Sequence, residues 1–262
     1  MIYKNCYVNF KLKEFFLKNN FKISRGSKSK IKTLEIKLTK NNTIGRGECV
    51  PYKRYDENLK KIIKILSKNR KIDNINNIKA LSLRNAISNA YFDLALKKNK
   101  KKFSSILSSS KFKTAITIPM YNIKKFTKEV KKIKNIKTIK VKLDQKNVFN
   151  YLNIIKKVSP KSKIIIDANE SWSISYLQIN EKELKKYNIL FIEQPVKSCN
   201  DQKIKSKLPL CADESFHLRK NVKNIKKIYK WVNIKPDKFG SETDILKSIT
   251  FAKKNKLKIF FG

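Results

Sequence analysis

The sequence contains few glycines and no glycine-rich segment. Only five of its 262 residues are glycine, and none of them belongs to a phosphate-binding loop placed after a strand. Open, doubly wound sheets that bind nucleotides need such a loop after their first strand. The scarcity of glycine therefore argues against that architecture.

Long hydrophobic runs and closely spaced cysteines are also missing. No apolar run approaches the roughly 20 residues that span a bilayer, and the lysine-rich N-terminus has no signal-peptide cleavage pattern. The sequence has no C-x-x-C pair, so we expect free thiols at Cys6, Cys49, Cys199 and Cys211. These absences predict a soluble, cytoplasmic protein with no membrane partner.

Acidic residues are few. Lysine and arginine total 63 against 20 acidic residues, which gives a formal net charge of +43. Such a charge alone favours nucleic-acid binding. Only six of the 63 cations are arginine, however, and the lysines are spread from end to end, whereas nucleic-acid sites concentrate charge and use arginine. We therefore expect no specific nucleic-acid partner, only weak and salt-sensitive binding to polyanions.

The hydrophobic pattern changes near residue 110. Before that point the strand-like segments are YVNFKL, FKIS and IKTLEIKLTK, the last ending in a turn at Asn41-Asn42. Two amphipathic helices are predicted at 57–70 and 79–98. The run SSILSSS at 104–110 is the predicted boundary. We therefore predict an α+β domain over residues 1–110.

From residue 111 onward, short apolar runs recur at intervals of 20 to 26 residues. The seven runs are TAITI, TIKVKL, KIIIDA, ILFIEQP, LPLCADE, WVNIKPD and LKIFFG. Segments with helical spacing, such as VFNYLNIIKKV and ETDILKSITFAKK, lie between them. This alternation predicts βα units and a parallel sheet. A closed (β/α)8 barrel needs eight strands, so the predicted fold class is α/β, with an incomplete barrel over 111–262 that lacks the last strand.

Carboxylates follow three consecutive predicted strands, at Asp167, Glu193 and Asp213. The active site of a parallel barrel lies at the C-terminal ends of its strands, so these side chains are expected to converge. Three anions repel one another unless a cation lies between them. Oxygen ligands select a hard ion, and Mg2+ leaves positions open for a substrate. The pattern therefore predicts a Mg2+ site.

Lysines flank the predicted metal site on both sides. Lys142 ends the strand before the three carboxylates, and Lys235 ends the strand after them. A lysine acts as a base near neutral pH only when its pKa falls from about 10.4 towards 7 or 8. A divalent ion and the neighbouring Lys140 would both lower that pKa. The arrangement predicts that one lysine removes a proton beside a carboxylate and the other returns one to the opposite face.

The ordered motifs K-x-K, D-A-N, I-E-Q-P, A-D-E-S and N-I-K-P resemble those of the enolase superfamily, in its muconate-lactonizing-enzyme-like subgroup. The sequence is most similar to the dipeptide epimerases of the L-Ala-D/L-Glu type, from about residue 20 to 262. The stretch GRGECVPYKRYDEN at 45–58 favours this group over its relatives. A lysine base with Mg2+ is established chemistry in the superfamily. The resemblance makes residues 1–110 a capping domain.

The resemblance also implies an activity and a set of site residues. The activity is Mg2+-dependent epimerisation of a dipeptide through an enediolate, in murein peptide recycling, with a small dipeptide as the binding partner. The implied roles are metal binding by Asp167, Glu193 and Asp213, acid–base catalysis by Lys142 and Lys235, electrostatic support by Lys140, and substrate binding by Arg25 and Asn169.

Three alternatives remain open. Pro236, directly after Lys235, also occurs in o-succinylbenzoate synthases and N-succinylamino acid racemases, which share the same site chemistry. The family continues beyond a seventh strand, so the chain is also expected to be a fragment, either active or catalytically dead. The remaining alternative is a basic nucleic-acid-binding protein with an enzyme-like fold. Exposed strand edges would favour homo-oligomers.

Overall fold

The computed structural model describes residues 6–23, 26–68, 70–72, 74–100, 113–217 and 225–262, and the side chains of 18–28 are not among the described ones. The described residues form two sheets, one of three strands and one of seven. The predicted boundary at 104–110 and the predicted substrate residue Arg25 lie outside the described residues. The division into domains 1–110 and 111–262 therefore stays a prediction.

The first sheet is antiparallel. Its strands are β1 (Tyr7–Ile23), β2 (Gly26–Lys40) and β3 (Thr43–Cys49), in that order. Asn41 and Asn42 have φ angles of 46° and 59°, which confirms the predicted turn because asparagine tolerates this left-handed region. The prediction of separate strands YVNFKL and FKIS is wrong. One strand runs through both, and its register with β2 shifts between Phe16 and Phe21.

Two helices pack against this sheet, α1 (Leu59–Lys68) and α2 (Leu81–Lys98), and they confirm the predicted helices to within two residues at each end. The apolar face of α2 is buried on the sheet through Leu83, Ile87, Ala90 and Leu94. Strand β3 approaches α2 closely because it carries Gly47. A Cβ atom there would lie only 1.9 Å from the Ala86 carbonyl oxygen.

The second sheet is parallel throughout, and its strands lie in chain order. The strands are β4 (Ile116–Ile118), β5 (Thr138–Lys142), β6 (Lys163–Asp167), β7 (Ile189–Glu193), β8 (Leu210–Ala212), β9 (Trp231–Ile234) and β10 (Lys258–Phe261). The helices between them are α3 (Ile123–Lys132), α4 (Val148–Val158), α5 (Ile174–Ile179), α6 (Glu181–Leu184), α7 (Glu214–His217), α8 (Ile225–Ile228), α9 (Pro236–Phe239) and α10 (Glu242–Lys254). The predicted α/β class with a barrel-type parallel sheet is confirmed.

The two faces of the parallel sheet differ. One face packs on the helices and forms the larger core, which includes Trp172 and Phe216. The other face carries a small cluster of Ile165, Phe191 and Cys211, with Trp231 and Phe260 packed against it. Side chains alternate between faces along a strand. The polar residues two positions beyond Ile165, Phe191 and Cys211 therefore share their face, at the C-terminal ends of the strands.

The helix α2 also joins the two sheets. Asn85 Nδ2 donates a hydrogen bond of 2.9 Å to the Gly240 carbonyl, directly after α9. Arg84 Nη1 lies 3.2 Å from Asp244 Oδ2 in α10. Across the described part of the chain, no helix is both long and apolar enough to cross a membrane. All four cysteines are free thiols, as predicted.

Candidate active site

The predicted site residues lie at one level of the parallel sheet. Lys142 at the end of β5 is in register with Asp167 at the end of β6, and Asp167 is in register with Glu193 at the end of β7. Asp213 follows β8 and Lys235 follows β9. All three carboxylates are buried.

Three ammonium groups bind to these carboxylates. Lys140 Nζ lies 2.6 Å from Glu193 Oε2 and 3.0 Å from Asp167 Oδ2. Lys142 Nζ donates to Asp167 Oδ2 at 2.7 Å, and Lys235 Nζ donates to Asp213 Oδ2 at 2.5 Å. Within the chain, each negative charge of the site is thus paired with a lysine. Such pairing offsets the large cost of burying isolated ions.

These contacts raise the pKa of two of the lysines. Burial lowers the pKa of Lys235, but Asp213 and Glu193 raise it by more, so the net shift is upward. Burial likewise lowers the pKa of Lys140, and Asp167 and Glu193 outweigh it. These contacts act on Lys140 and Lys235 in the direction opposite to the divalent ion on which the expectation of a lowered lysine pKa rests. Direct contact with a carboxylate favours the charged ammonium over the neutral amine.

The pKa values of the carboxylates shift in different directions. Burial raises the pKa of Asp167, but Lys140 and Lys142 lower it by more, so its net shift is downward. The pKa of Glu193 is raised, first by burial and then by the negative charge of Asp167. Glu193 lies between the other two anions and experiences repulsion from both. Additional positive charge at this position would relieve that repulsion.

His217 contacts Asp213, which is predicted to bind a metal, although no role for His217 was predicted. Its Nε2 atom lies 2.9 Å from the Asn233 carbonyl oxygen, which only accepts, so Nε2 carries the proton. Burial lowers the pKa of His217 to about 4, so the ring is neutral and Nδ1 holds a lone pair. The Tyr55 hydroxyl therefore donates to Nδ1 at 3.2 Å. Asp213 Oδ1, also 3.2 Å from Nδ1, is buried and has no hydrogen-bond donor among the described residues.

The donor set fits a hard cation. Asp167, Glu193 and Asp213 supply only carboxylate oxygens, which suit Mg2+. In the part of the chain that the structure describes, the buried Asp213 Oδ1 has no hydrogen-bond donor. Among the described residues, no three His, Cys, Asp or Glu side chains lie close enough together to form a ready metal cluster. The lysines stand between the carboxylates instead. Asp167, Glu193 and Asp213 are the residues that would hold such a cation.

Two polar residues of the site were assigned no role from the sequence. Asn233 is fully buried and its Nδ2 donates to Glu193 Oε1 at 2.9 Å. It lies two residues before Lys235 on the same strand, so the period of two could have identified it. Tyr55, interpreted as capping structure, reaches His217 from the N-terminal part. Asn169, predicted to bind substrate, accepts a hydrogen bond of 3.0 Å from Lys142.

A capped, curled parallel sheet with lysines and carboxylates at its strand ends defines the class of enolase-superfamily enzymes. The model of the enolase C-terminal domain-like family matches residues 123–262. N-acetyl-D-glutamate racemase of Pseudoalteromonas sp is 34% identical over 83% of this chain and 74% of that protein. L-Ala-D/L-Glu epimerase of Escherichia coli (strain K12) is 30% identical over 92% of this chain and 80% of that protein. The chain belongs to the enolase C-terminal domain-like family.

Solved structures give the same result. An enolase family member from Agrobacterium tumefaciens, with homology to dipeptide epimerases and with bound sodium and L-Ala-L-Glu, matches with a TM-score of 0.87 and 25% identity. The match covers 98% of this chain and 83% of that one. A dipeptide epimerase from Enterococcus faecalis V583, complexed with Mg and L-Leu-L-Tyr, shares the fold with a TM-score of 0.83 at 21% identity, over 98% and 81% of the chains. The predictions of the superfamily and of an isomerase are confirmed.

Proposed function

We propose that the chain epimerises a dipeptide by moving its α-proton between two lysines. The observation that supports this most strongly is the placement of Lys142 and Lys235. They lie at opposite ends of the carboxylate row, Lys142 on Asp167 and Lys235 on Asp213, with Glu193 between them. A substrate bound over the row would have one lysine on each face of its α-carbon. Such a pair can remove the α-proton from one face and return a proton to the other, which inverts the configuration.

The two lysines need a lowered pKa when they act as bases. In the structure the pKa of Lys235 is raised by Asp213 and Glu193, so this lysine is a proton donor as it stands. Mg2+, when bound by Asp167, Glu193 and Asp213, would supply positive charge next to the substrate carboxylate, where negative charge develops. Because bound Mg2+ would offset the negative charge of the three carboxylates, it would also remove the cause of the raised lysine pKa. Asn169 holds the Lys142 ammonium at 3.0 Å and orients it.

The proposed substrate is a dipeptide of the L-Ala-D/L-Glu type, as handled in murein peptide recycling in the cytoplasm. The E. coli relative with that activity in its name aligns over 92% of this chain. Lys140 supports the reaction electrostatically through Glu193 and Asp167. Arg25 is proposed to bind the distal carboxylate of the substrate.

A second candidate function is racemisation of an N-acylated amino acid. It is favoured by the Pseudoalteromonas relative, N-acetyl-D-glutamate racemase, which is more identical in sequence, at 34%, than the E. coli epimerase. Both reactions remove a proton next to a carboxylate, so the same lysines serve both. They differ in the group on the substrate nitrogen, which is an aminoacyl group with a free ammonium in one case and an acetyl group in the other.

Exchange of the α-proton in D2O, followed by proton NMR, tests the proposal. L-Ala-L-Glu, L-Ala-D-Glu and N-acetyl-D-glutamate would each be incubated with Mg2+, and with EDTA as the control. If the lysines act on opposite faces, Lys142→Ala and Lys235→Ala should each abolish exchange for a different dipeptide isomer. The matched control is Lys163→Ala, which changes an exposed lysine at the start of β6. This variant should exchange the α-proton of both dipeptide isomers.

The outcomes separate the two candidates. Exchange of the dipeptides alone supports the epimerase, and exchange of N-acetyl-D-glutamate alone supports the racemase. Exchange that survives both lysine substitutions would refute the two-lysine mechanism. Exchange unaffected by EDTA would refute the metal dependence.

A further inference from the structure

The fold gathers lysines at one end of the parallel sheet. All seven strands begin at this end, which lies opposite the carboxylates of the candidate site. Each strand has an exposed lysine as its first residue or within three residues before it. These lysines are Lys113, Lys137, Lys163, Lys186, Lys207, Lys230 and Lys258. Lysines that are spread evenly along the sequence are therefore brought together in space.

Little negative charge faces these lysines. Lys186 Nζ lies 2.6 Å from Glu183 Oε2. The other six ammonium groups form no ion pair with any residue that the structure describes. This end of the sheet should therefore attract anions over a distance set by the salt concentration.

A cavity of about 440 Å3 lies among the last of these lysines, at the starts of β9 and β10. Its volume is within the range of small-molecule sites. Four lysines line it, namely Lys226, Lys230, Lys256 and Lys258. Its apolar wall includes Leu190, Pro209, Trp231 and Leu257, and no aspartate or glutamate is among the described residues that line it. The cavity thus combines cations with an apolar surface.

Trp231, the first residue of β9, gives the cavity an aromatic surface. Its ring is half-buried and packs on Phe191, with the ring centroids 5.0 Å apart. The Lys258 ammonium lies 5.3 Å from the centroid of the Trp231 ring. An aromatic ring beside cations suits single-stranded nucleic acid, because bases stack on the ring while phosphates contact the cations. An acidic polypeptide would use the lysines but has no need of the ring.

We propose that this end of the parallel sheet binds single-stranded nucleic acid, with one base on Trp231 and phosphates on Lys226, Lys230 and Lys258. The lysines at the starts of β5–β8 lie beyond the cavity, so the positive charge continues for a strand longer than one nucleotide. Lysine contacts to phosphates carry no sequence information, so the binding has no sequence preference. It is independent of the proposed epimerisation, whose residues lie at the other end of the strands.

Fluorescence anisotropy of a labelled oligothymidylate, about 15 nucleotides long, tests the proposal at several salt concentrations with the full chain. Each phosphate contact to a single strand contributes about −0.7 to the slope of log K against log salt concentration. The variant Lys226→Ala/Lys230→Ala/Lys258→Ala should therefore make the slope less negative by about 2 and weaken binding about 100-fold at about 0.1 M salt. Trp231→Leu, which stays apolar, should weaken binding by about 5-fold or more.

The matched control is Lys124→Ala/Lys128→Ala/Lys247→Ala, which removes the same charge from exposed positions on α3 and α10. It should leave the slope unchanged. Thermal unfolding of each variant checks that it is folded. A larger loss of affinity in the cavity variant than in this control supports the proposal.

Three results would overturn the proposal. Equal weakening by the two triple variants would mean that the oligonucleotide binds to the charge of the whole surface. Wild-type affinity in Trp231→Leu, or equally strong competition by poly-L-glutamate, would indicate a site for any polyanion. Thymidine monophosphate that binds as tightly as the oligonucleotide would restrict the site to the cavity and a single nucleotide.

Discussion

Substitution of Gly47 by alanine tests the contact between the two layers of the N-terminal part. The new Cβ would lie 1.9 Å from the Ala86 carbonyl oxygen and 2.9 Å from its carbonyl carbon. Carbon–oxygen contacts normally measure about 3.3–3.6 Å, so strand and helix would have to separate by more than about 1 Å. The atoms that would be met belong to the backbone of α2. No change of rotamer relieves this clash, and neither does Ala86→Gly.

The expected cost of Gly47→Ala lies at the upper end of overpacking, about 3 kcal/mol. For a chain of this size, each kcal/mol lowers the midpoint of thermal unfolding by about 2–4 °C, so the expected loss is about 6–12 °C. Calorimetry or circular dichroism would measure it. Arg46→Ala is the matched control, because its exposed side chain leaves β3 on the opposite face and its backbone N–H keeps the bond to Asp93.

The same substitution should reach the candidate site. Helix α2 carries Arg84 and Asn85, which contact Asp244 and the Gly240 carbonyl behind Lys235. A displaced α2 should therefore lower the rate of α-proton exchange, measured below body temperature, as well as the stability of the protein. A midpoint within about 2 °C of the Arg46→Ala control would correspond to less than about 1 kcal/mol and refute the close-packing argument.

Three further predictions concern ionisable groups of the chain. The folded pKa of His217, about 4, lies below its unfolded value of about 6.5, so the free energy of unfolding should fall by about 3 kcal/mol as pH drops from 6.5 to 4. Urea titrations of His217→Gln should show a smaller dependence on pH. Mg2+ at about 100 times its dissociation constant should add about 2.7 kcal/mol of stability, and Glu193→Gln should lose that gain in calorimetry. Arg84→Lys should cost about 1–2 kcal/mol in urea unfolding, because one ammonium cannot bond both the Ile78 carbonyl and Asp244; equal stability would contradict that assignment.

Hydrophobic periodicity was sufficient to predict most of the fold. The predicted segments 148–158 and 242–254 coincide with α4 and α10, and each of the seven predicted apolar runs contains one parallel strand. The failure lies in β1. The segment between YVNFKL and FKIS does not alternate, and the strand pairs with β2 up to Phe16 and again from Phe21, across a shift of register. Pairing with a distant segment cannot be predicted from the local sequence pattern.

The candidate site shows the same limit. Strand ends could be located in the sequence, and the structure does bring Lys142, Asp167 and Glu193 to one level. The direction of the lysine pKa shifts could not be inferred, because it depends on which carboxylate each ammonium contacts. The roles of Asn233 and His217 likewise depend on a neighbouring strand, through Glu193 and the Asn233 carbonyl.

The charge of the whole chain bears on how the site would be loaded. With a net charge of +43, the protein attracts anionic substrates and repels divalent cations over distances set by salt. Under the proposed function, the buried carboxylates Asp167, Glu193 and Asp213 would have to hold a cation against that field. Lys140, Lys142 and Lys235 already compete for them. An anionic substrate would offset part of this competition, because its carboxylate draws the lysines away from the row. Cation and substrate would therefore bind more tightly together than either does alone.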